Sequence, residues 1–158
     1  MSAWLGAGLL AVALVIAATG SVLPAEVGSH FDGEGRMDAT MSRGAYLLLM
    51  VVLADGVPLL TWWLQCRAAR AGRINFPRRD HWMAPARRPD TVRFLERHAM
   101  VMAVALALFL LGVHLLVVKA HWVGTGPPSL DIGLFTCWVV AFVAFSVLWA
   151  AWLWRRFS

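Results

Sequence analysis

Residues 99–119 read AMVMAVALALFLLGVHLLVVK, and this run decides the fold. Before Lys119 its one ionisable side chain is His114. A helix rises about 1.5 Å per residue, so crossing the ~30 Å hydrocarbon core of a bilayer takes about 20 apolar residues. Three further runs meet that measure: residues 4–23, without a charge; 44–65, interrupted by Asp55 and Pro58; and 132–154, whose most reactive side chain is Cys137. In hydrocarbon every backbone amide and carbonyl must be paired internally, which makes each run a helix. Four spans with short connections predict an all-α integral membrane protein, an antiparallel four-helix bundle forming a single domain over residues 1–158. Composition agrees. Of 158 residues 60% are apolar and 15% charged, and the mean hydropathy is +0.68, whereas soluble domains are about half apolar and about a quarter charged. This argues against a disulfide scaffold, a disordered tail and an ordinary cytosolic enzyme.

The formal charge of +5 is concentrated, since nine of the fourteen basic residues fall between Arg67 and Arg97. A basic loop between apolar spans is a topology signal, and it reads against nucleic acid as the partner. Loop 66–98 sets those nine against Asp80, Asp90 and Glu96, and the chain ends Arg155-Arg156-Phe157-Ser158. Loop 24–43 carries Glu26, Asp32, Glu34 and Asp38 against Arg36 and Arg43. The positive-inside rule therefore predicts cytoplasmic termini, a cytoplasmic loop 66–98 and an outer loop 24–43. Tryptophans follow the same frame, with Trp4, Trp62, Trp63, Trp149, Trp152 and Trp154 near the inner interface and Trp122 near the outer one. The first run lacks a basic leading region and exceeds the usual signal-peptide core, so it reads as a retained span. Cys66 and Cys137 fall toward opposite ends of their spans, which predicts free thiols.

The outer loop opens with Leu23-Pro24, where proline ends a helix, and continues through His30-Phe31-Asp32-Gly33-Glu34-Gly35 to Asp38. The glycines permit a tight turn, and Asp32 and Asp38 can accept bonds from nearby amides. An ordered turn is expected, with His30, Asp32 and Asp38 bonded within it or to the segment near His121. The alternative is a metal site from His30 and Asp32, joined by Glu34 and Asp38. Its acid spacing does not match an EF-hand, and zinc wants more histidine or cysteine.

These residues carry a resemblance. Leu23-Pro24, His30-Phe31-Asp32, Gly35 and Asp38 resemble the Leu-Pro-x-x-Ile-Pro-x-His-Phe-Asn-x-x-Gly-x-x-Asp pattern of SdpI-like bacterial membrane proteins, in particular the small domain of unknown function at their N-termini. Asn75-Phe76-Pro77-Arg78-Arg79-Asp80-His81-Trp82-Met83-Ala84-Pro85, followed by Arg87-Arg88, is similar to the Asn-x-Pro-Asn-Arg-Asp-Tyr-Trp-Leu-Ala-Pro-Glu-Arg-Arg stretch of small bacterial relatives. Gly28, Asp32, His81 and Ala86 stand where that family has proline, asparagine, tyrosine and glutamate. The resemblance implies a multi-pass protein of the bacterial inner membrane. The family's best-known member confers immunity to a peptide toxin and helps signal its presence.

In the basic loop, the arginines are placed to meet anionic lipid headgroups while Trp82 and Met83 dip into the interface. The functional alternative is docking of a partner by Asn75, Arg78, Arg79, Trp82, Arg87 and Arg88. Asp90-Thr91 predicts a helix cap leading into the third span, with Glu96 paired to Arg93 or Arg97. Within the spans, Asp55 at mid-depth costs about 2.5–3.5 kcal/mol on insertion scales and is expected to face protein, where it is either helix-bridging or a relay or ligand group. His114 reads as an interhelical hydrogen bonder. A His114–Cys137 pair offers too few ligands for copper or haem, so no cofactor is expected. No hydrolase, metalloprotease, phosphate-loop or dinucleotide motif is present. The expectation is a non-enzymatic binding, immunity or sensory component, with a peptide ligand, another membrane subunit or a second copy as partner. The rival is a small metal- or proton-handling accessory subunit of a membrane complex.

Overall fold

Residue Pro24 stops the first helix, and the polar stretch behind it turns back on itself before the second apolar run begins. The computed structural model describes residues 3–122 and 126–158. In chain order it forms α1 (Ala3–Gly20), a hairpin of β1 (Glu26–Phe31) and β2 (Met37–Ser42), α2 (Arg43–Arg70), a single turn α3 (Arg79–Trp82), α4 (Arg88–Trp122) and α5 (Ile132–Phe157). The four long helices α1, α2, α4 and α5 are each long and apolar enough to cross a membrane. They alternate in direction. One end of the molecule carries the hairpin, and the other carries the arginine-rich segment and Phe157.

Four expectations change. The chain is not wholly helical, because loop 24–43 holds an antiparallel two-stranded sheet. Nor is 66–98 mainly loop, since α2 runs on to Arg70 and α4 starts at Arg88, leaving a short connection around α3. Asp90-Thr91 is no cap. The helix begins before it, and the Thr91 hydroxyl instead donates to the Trp82 carbonyl at 2.9 Å. Glu96 pairs with Arg70 of α2 at 2.5 Å rather than with its own-helix neighbours, while Arg93 pairs with Asp90.

The core is made by three helices. α1 buries Leu5, Leu9, Val12 and Ile16, the four-three-four spacing that lines one helix face. α4 joins that face in one core with Ala103 and Ala107, and Ala54 of α2 is fully buried. Small side chains let backbones approach closely where lipid offers no competing hydrophobic drive. α5 stands outside this core and packs along α4; Phe157 is its only buried residue. Its anchor is Trp138, whose indole N–H donates to the Phe109 carbonyl at 3.0 Å and whose ring lies so close to Gly112 that a β-carbon there would strike it. Phe142 stacks on Phe109 beside it, with ring centroids 4.4 Å apart. The even four-helix bundle is thus a three-helix core with a fourth helix against one side. Cys66 and Cys137 are free thiols.

Candidate functional site

Asp32 builds the hairpin turn. Its carboxylate accepts from the Glu34 and Arg36 amides, both at 2.9 Å, and from Arg36 Nε at 3.0 Å. Those bonds, the Arg36 amide first, hold its pKa below the usual carboxylate value. Gly35 completes the turn with φ of 81°, which side chains rarely adopt, and its carbonyl accepts from Leu130 N at 2.8 Å. His30 Nδ1 lies 2.6 Å from Asp38 on the facing strand. Underneath, Gly28 N donates to His121 Nε2 at 3.1 Å, tying the sheet to the end of α4. The segment before α5 joins the turn through an Arg36–Ser129 bridge. There Asp131 accepts from Leu134 N at 3.0 Å and from Lys119 Nζ at 3.1 Å, and these bonds lower its pKa, the backbone bond most. Loop 24–43 is therefore ordered by its own acids and by the ends of α4 and α5.

Between the hairpin, α2, α4 and α5 lies a groove of about 550 Å³. It exists because α5 packs on α4 and leaves the hairpin half of α2 open. Its walls are apolar, including Met41, Met50, Leu53, Val117 and Phe135, while His30 and Asp32 stand at its hairpin side and Tyr46 lines its floor. Tyr46 is the chain's single tyrosine. Its O–H meets His114 Nδ1 at 3.1 Å, and His114 Nε2 meets Thr19 Oγ1 at 2.9 Å. Thr19 donates its one hydroxyl hydrogen to the Val15 carbonyl at 2.6 Å. His114 must therefore donate from Nε2 and accept at Nδ1 from Tyr46, as a neutral imidazole does. This fully buried histidine bridges α1, α2 and α4. Its interhelical role was legible; Thr19 and Tyr46 were not singled out. The available signal was that each is a hydroxyl-bearing residue near the same end of its span.

Asp55 sits in a π turn, Val52–Gly56, inside α2. Pro58 explains the turn, because its ring would clash with the carbonyl four residues back, Ala54, and the wider turn relieves it. Asp55 is half-buried, and its Oδ1 is buried with no hydrogen-bond partner among the described residues. Of the alternatives for Asp55, helix-bridging through this oxygen is not seen among the described residues.

The metal reading does not assemble. Among the described residues no three histidine, cysteine or acidic side chains converge to hold an ion, and Asp32 and His30 are engaged by Arg36 and Asp38.

At the opposite end, the basic segment is a clasp. Arg88 donates to the Arg70 carbonyl at 2.8 Å, and Arg79 donates to the Gly72 carbonyl at 2.6 Å from Nη2, so both satisfy carbonyls at the end of α2. Arg87 lies against His81 Nδ1 at 3.0 Å. Asn75 and Arg78 are exposed, Arg78 with a left-handed φ of 51°. Trp82 donates from Nε1 to the Phe157 carbonyl at 3.1 Å, and Phe157 packs among Phe76, Trp82 and Phe94. Of the six loop residues expected to bind a partner, Arg79, Arg88 and Trp82 hold the fold together. Comparison with family models, with curated proteins and with solved structures gives no match to this chain.

Proposed function

We propose that this is a non-enzymatic binding component of a bacterial inner membrane, with the hairpin outside and the arginine-rich end in the cytoplasm. It receives the apolar segment of a membrane-partitioning peptide in the groove beneath the hairpin. The groove carries this reading. It is apolar, it opens where lipid and outer water meet, and polar groups at the hairpin side can engage a peptide's ends. The resemblance of the hairpin residues to SdpI-like proteins supports an immunity or sensory outcome of that binding. A photoreactive phenylalanine analogue replacing Phe135 should cross-link an amphipathic test peptide in reconstituted membranes, and Met50→Trp, which fills the groove, should abolish the cross-link. Equal labelling from Phe145, on α5 and outside the groove, would sink the idea.

One observation favours the rival reading of a proton-handling subunit: the unpartnered Asp55 oxygen at mid-span. Asp55→Asn and Asp55→Leu separate the two, because peptide cross-linking should survive both, whereas a proton-dependent activity should be lost in both.

A further inference from the structure

A second cavity, of about 470 Å³, lies at the arginine-rich end between α3, the first turns of α4 and the last turn of α5. Its walls bring together Arg87, Arg93, Arg97 and Arg156 with the rings of Trp82 and Phe94. One carboxylate, Asp90, lines it, and that group is already paired with Arg93. Four guanidiniums thus face one neutralised acid. Arg156 lies over Trp82 at 4.9 Å and over Phe94 at 5.7 Å, so its position is set by stacking and it has no acid partner among the described residues. Arg97 is exposed and has no ion pair or hydrogen bond among them. Stacking fixes the Arg156 guanidinium while leaving its N–H groups free to donate, an arrangement suited to phosphate oxygens.

We infer that this cavity binds the phosphate headgroup of an anionic phospholipid, held by Arg93, Arg97 and Arg156 with its acyl chains lying along α4 and α5. Depth favours a lipid over a soluble phosphate. Arg97 stands two residues before the apolar run that starts at Ala99, and Arg156 two residues after Trp154, so the guanidiniums ring the boundary between apolar helix and polar end. Next to the cavity, Phe94, His98, Trp149 and Trp152 stack on one another along the two helices, with His98 and Trp152 centroids 5.2 Å apart. That is the amphipathic surface that lines a headgroup region. Arg93, Arg97 and Arg156 are three residues that the sequence did not mark as a group, since more than sixty positions separate the outer two along the chain. The inference is independent of the groove at the hairpin end.

The test uses the full chain, stripped of lipid in a neutral detergent and titrated with phosphatidylglycerol, phosphatidylcholine or inorganic phosphate while adducts are followed by native mass spectrometry. Phosphatidylglycerol should saturate a single tight site and phosphatidylcholine should not. Each surface arginine contributes about 1 kcal/mol toward anionic lipid, so Arg97→Gln should weaken phosphatidylglycerol roughly fivefold and Arg97→Gln with Arg156→Gln on the order of twentyfold. Arg155→Gln, outside the cavity, should change nothing. Arg156 packs on Trp82, and loss of its stack can loosen the clasp; Arg97 has no hydrogen bond or ion pair among the described residues, so its single variant decides the matter whatever the double variant does. Unchanged phosphatidylglycerol binding in Arg97→Gln overturns the inference. So does equal binding of phosphatidylcholine, and so does displacement of the lipid by millimolar inorganic phosphate.

Discussion

Tyr46, His114 and Thr19 form a chain of bonds whose direction is forced at one end by the Val15 carbonyl. Removing the tyrosine hydroxyl leaves His114 Nδ1 buried and unsatisfied. Such a group costs about 1–3 kcal/mol, more than the ~0.6 kcal/mol average of an interhelical polar contact in membranes. Tyr46→Phe should therefore destabilise the fold by about 1–2 kcal/mol in denaturing-detergent titrations; a change indistinguishable from zero would mean that water or lipid satisfies the imidazole. Asp32 acts by charge instead. Its pKa is lowered from 3.8 by the Arg36 and Glu34 bonds, so its contribution to the hairpin is complete above that value and is lost as the pH falls below it toward the folded-state pKa. Hydrogen-exchange protection of the Arg36 amide should be constant from pH 7 to pH 5 and fall below about pH 4. Asp32→Asn should show the low-pH protection at every pH.

At the scale of elements, α5 is held to α4 by a narrow contact in which Gly112 makes room for Trp138. Overpacking costs typically about 1–3 kcal/mol. Gly112→Ala should accordingly push α5 away, weaken paired-cysteine cross-linking between the two helices and cost about 1–3 kcal/mol, leaving the three-helix core intact. The hairpin is the element least visible in the sequence. The first strand shows apolar residues only at Val27 and Phe31, spaced by four, and the alternation of Met37, Ala39 and Met41 in the second is too short by itself to mark a hairpin. Its pairing is stabilised from outside, by His121 under Gly28 and by Leu130 bonded to Gly35. The turn was legible because Asp32, Gly33 and Gly35 have local conformational meaning; the arms depend on the helix ends beneath them.

For the whole molecule, the buried Phe157 ring closes the arginine-rich end by touching Phe76, Trp82 and Phe94. Truncating a buried phenylalanine costs about 3–5 kcal/mol. Phe157→Ala should release the connection between α2 and α4, so that trypsin cuts at Arg78 and Arg79 much faster than in the parent protein. Unchanged cleavage would mean the clasp is held by Arg79 and Arg88 alone. Topology is read from charge: reporter fusions after Gly35 and after Gly72 should report opposite sides of the membrane, as the basic excess of loop 66–98 demands. The same side for both would refute the orientation.

Four spans, their order and the arginine asymmetry are properties of the sequence alone, because crossing a bilayer depends on local hydrophobicity summed over about 20 residues. The same sum cannot say which helix faces meet. That α5 lies outside the core, that a groove opens under the hairpin, that Tyr46 and Thr19 converge on His114 and that Arg93, Arg97 and Arg156 share one cavity were decided only in the tertiary structure. Each rests on the fit of small residues, ring stacking or a single hydrogen bond between segments distant in the chain, and lipid, being as apolar as the side chains it replaces, exerts no preference that a hydropathy pattern could record.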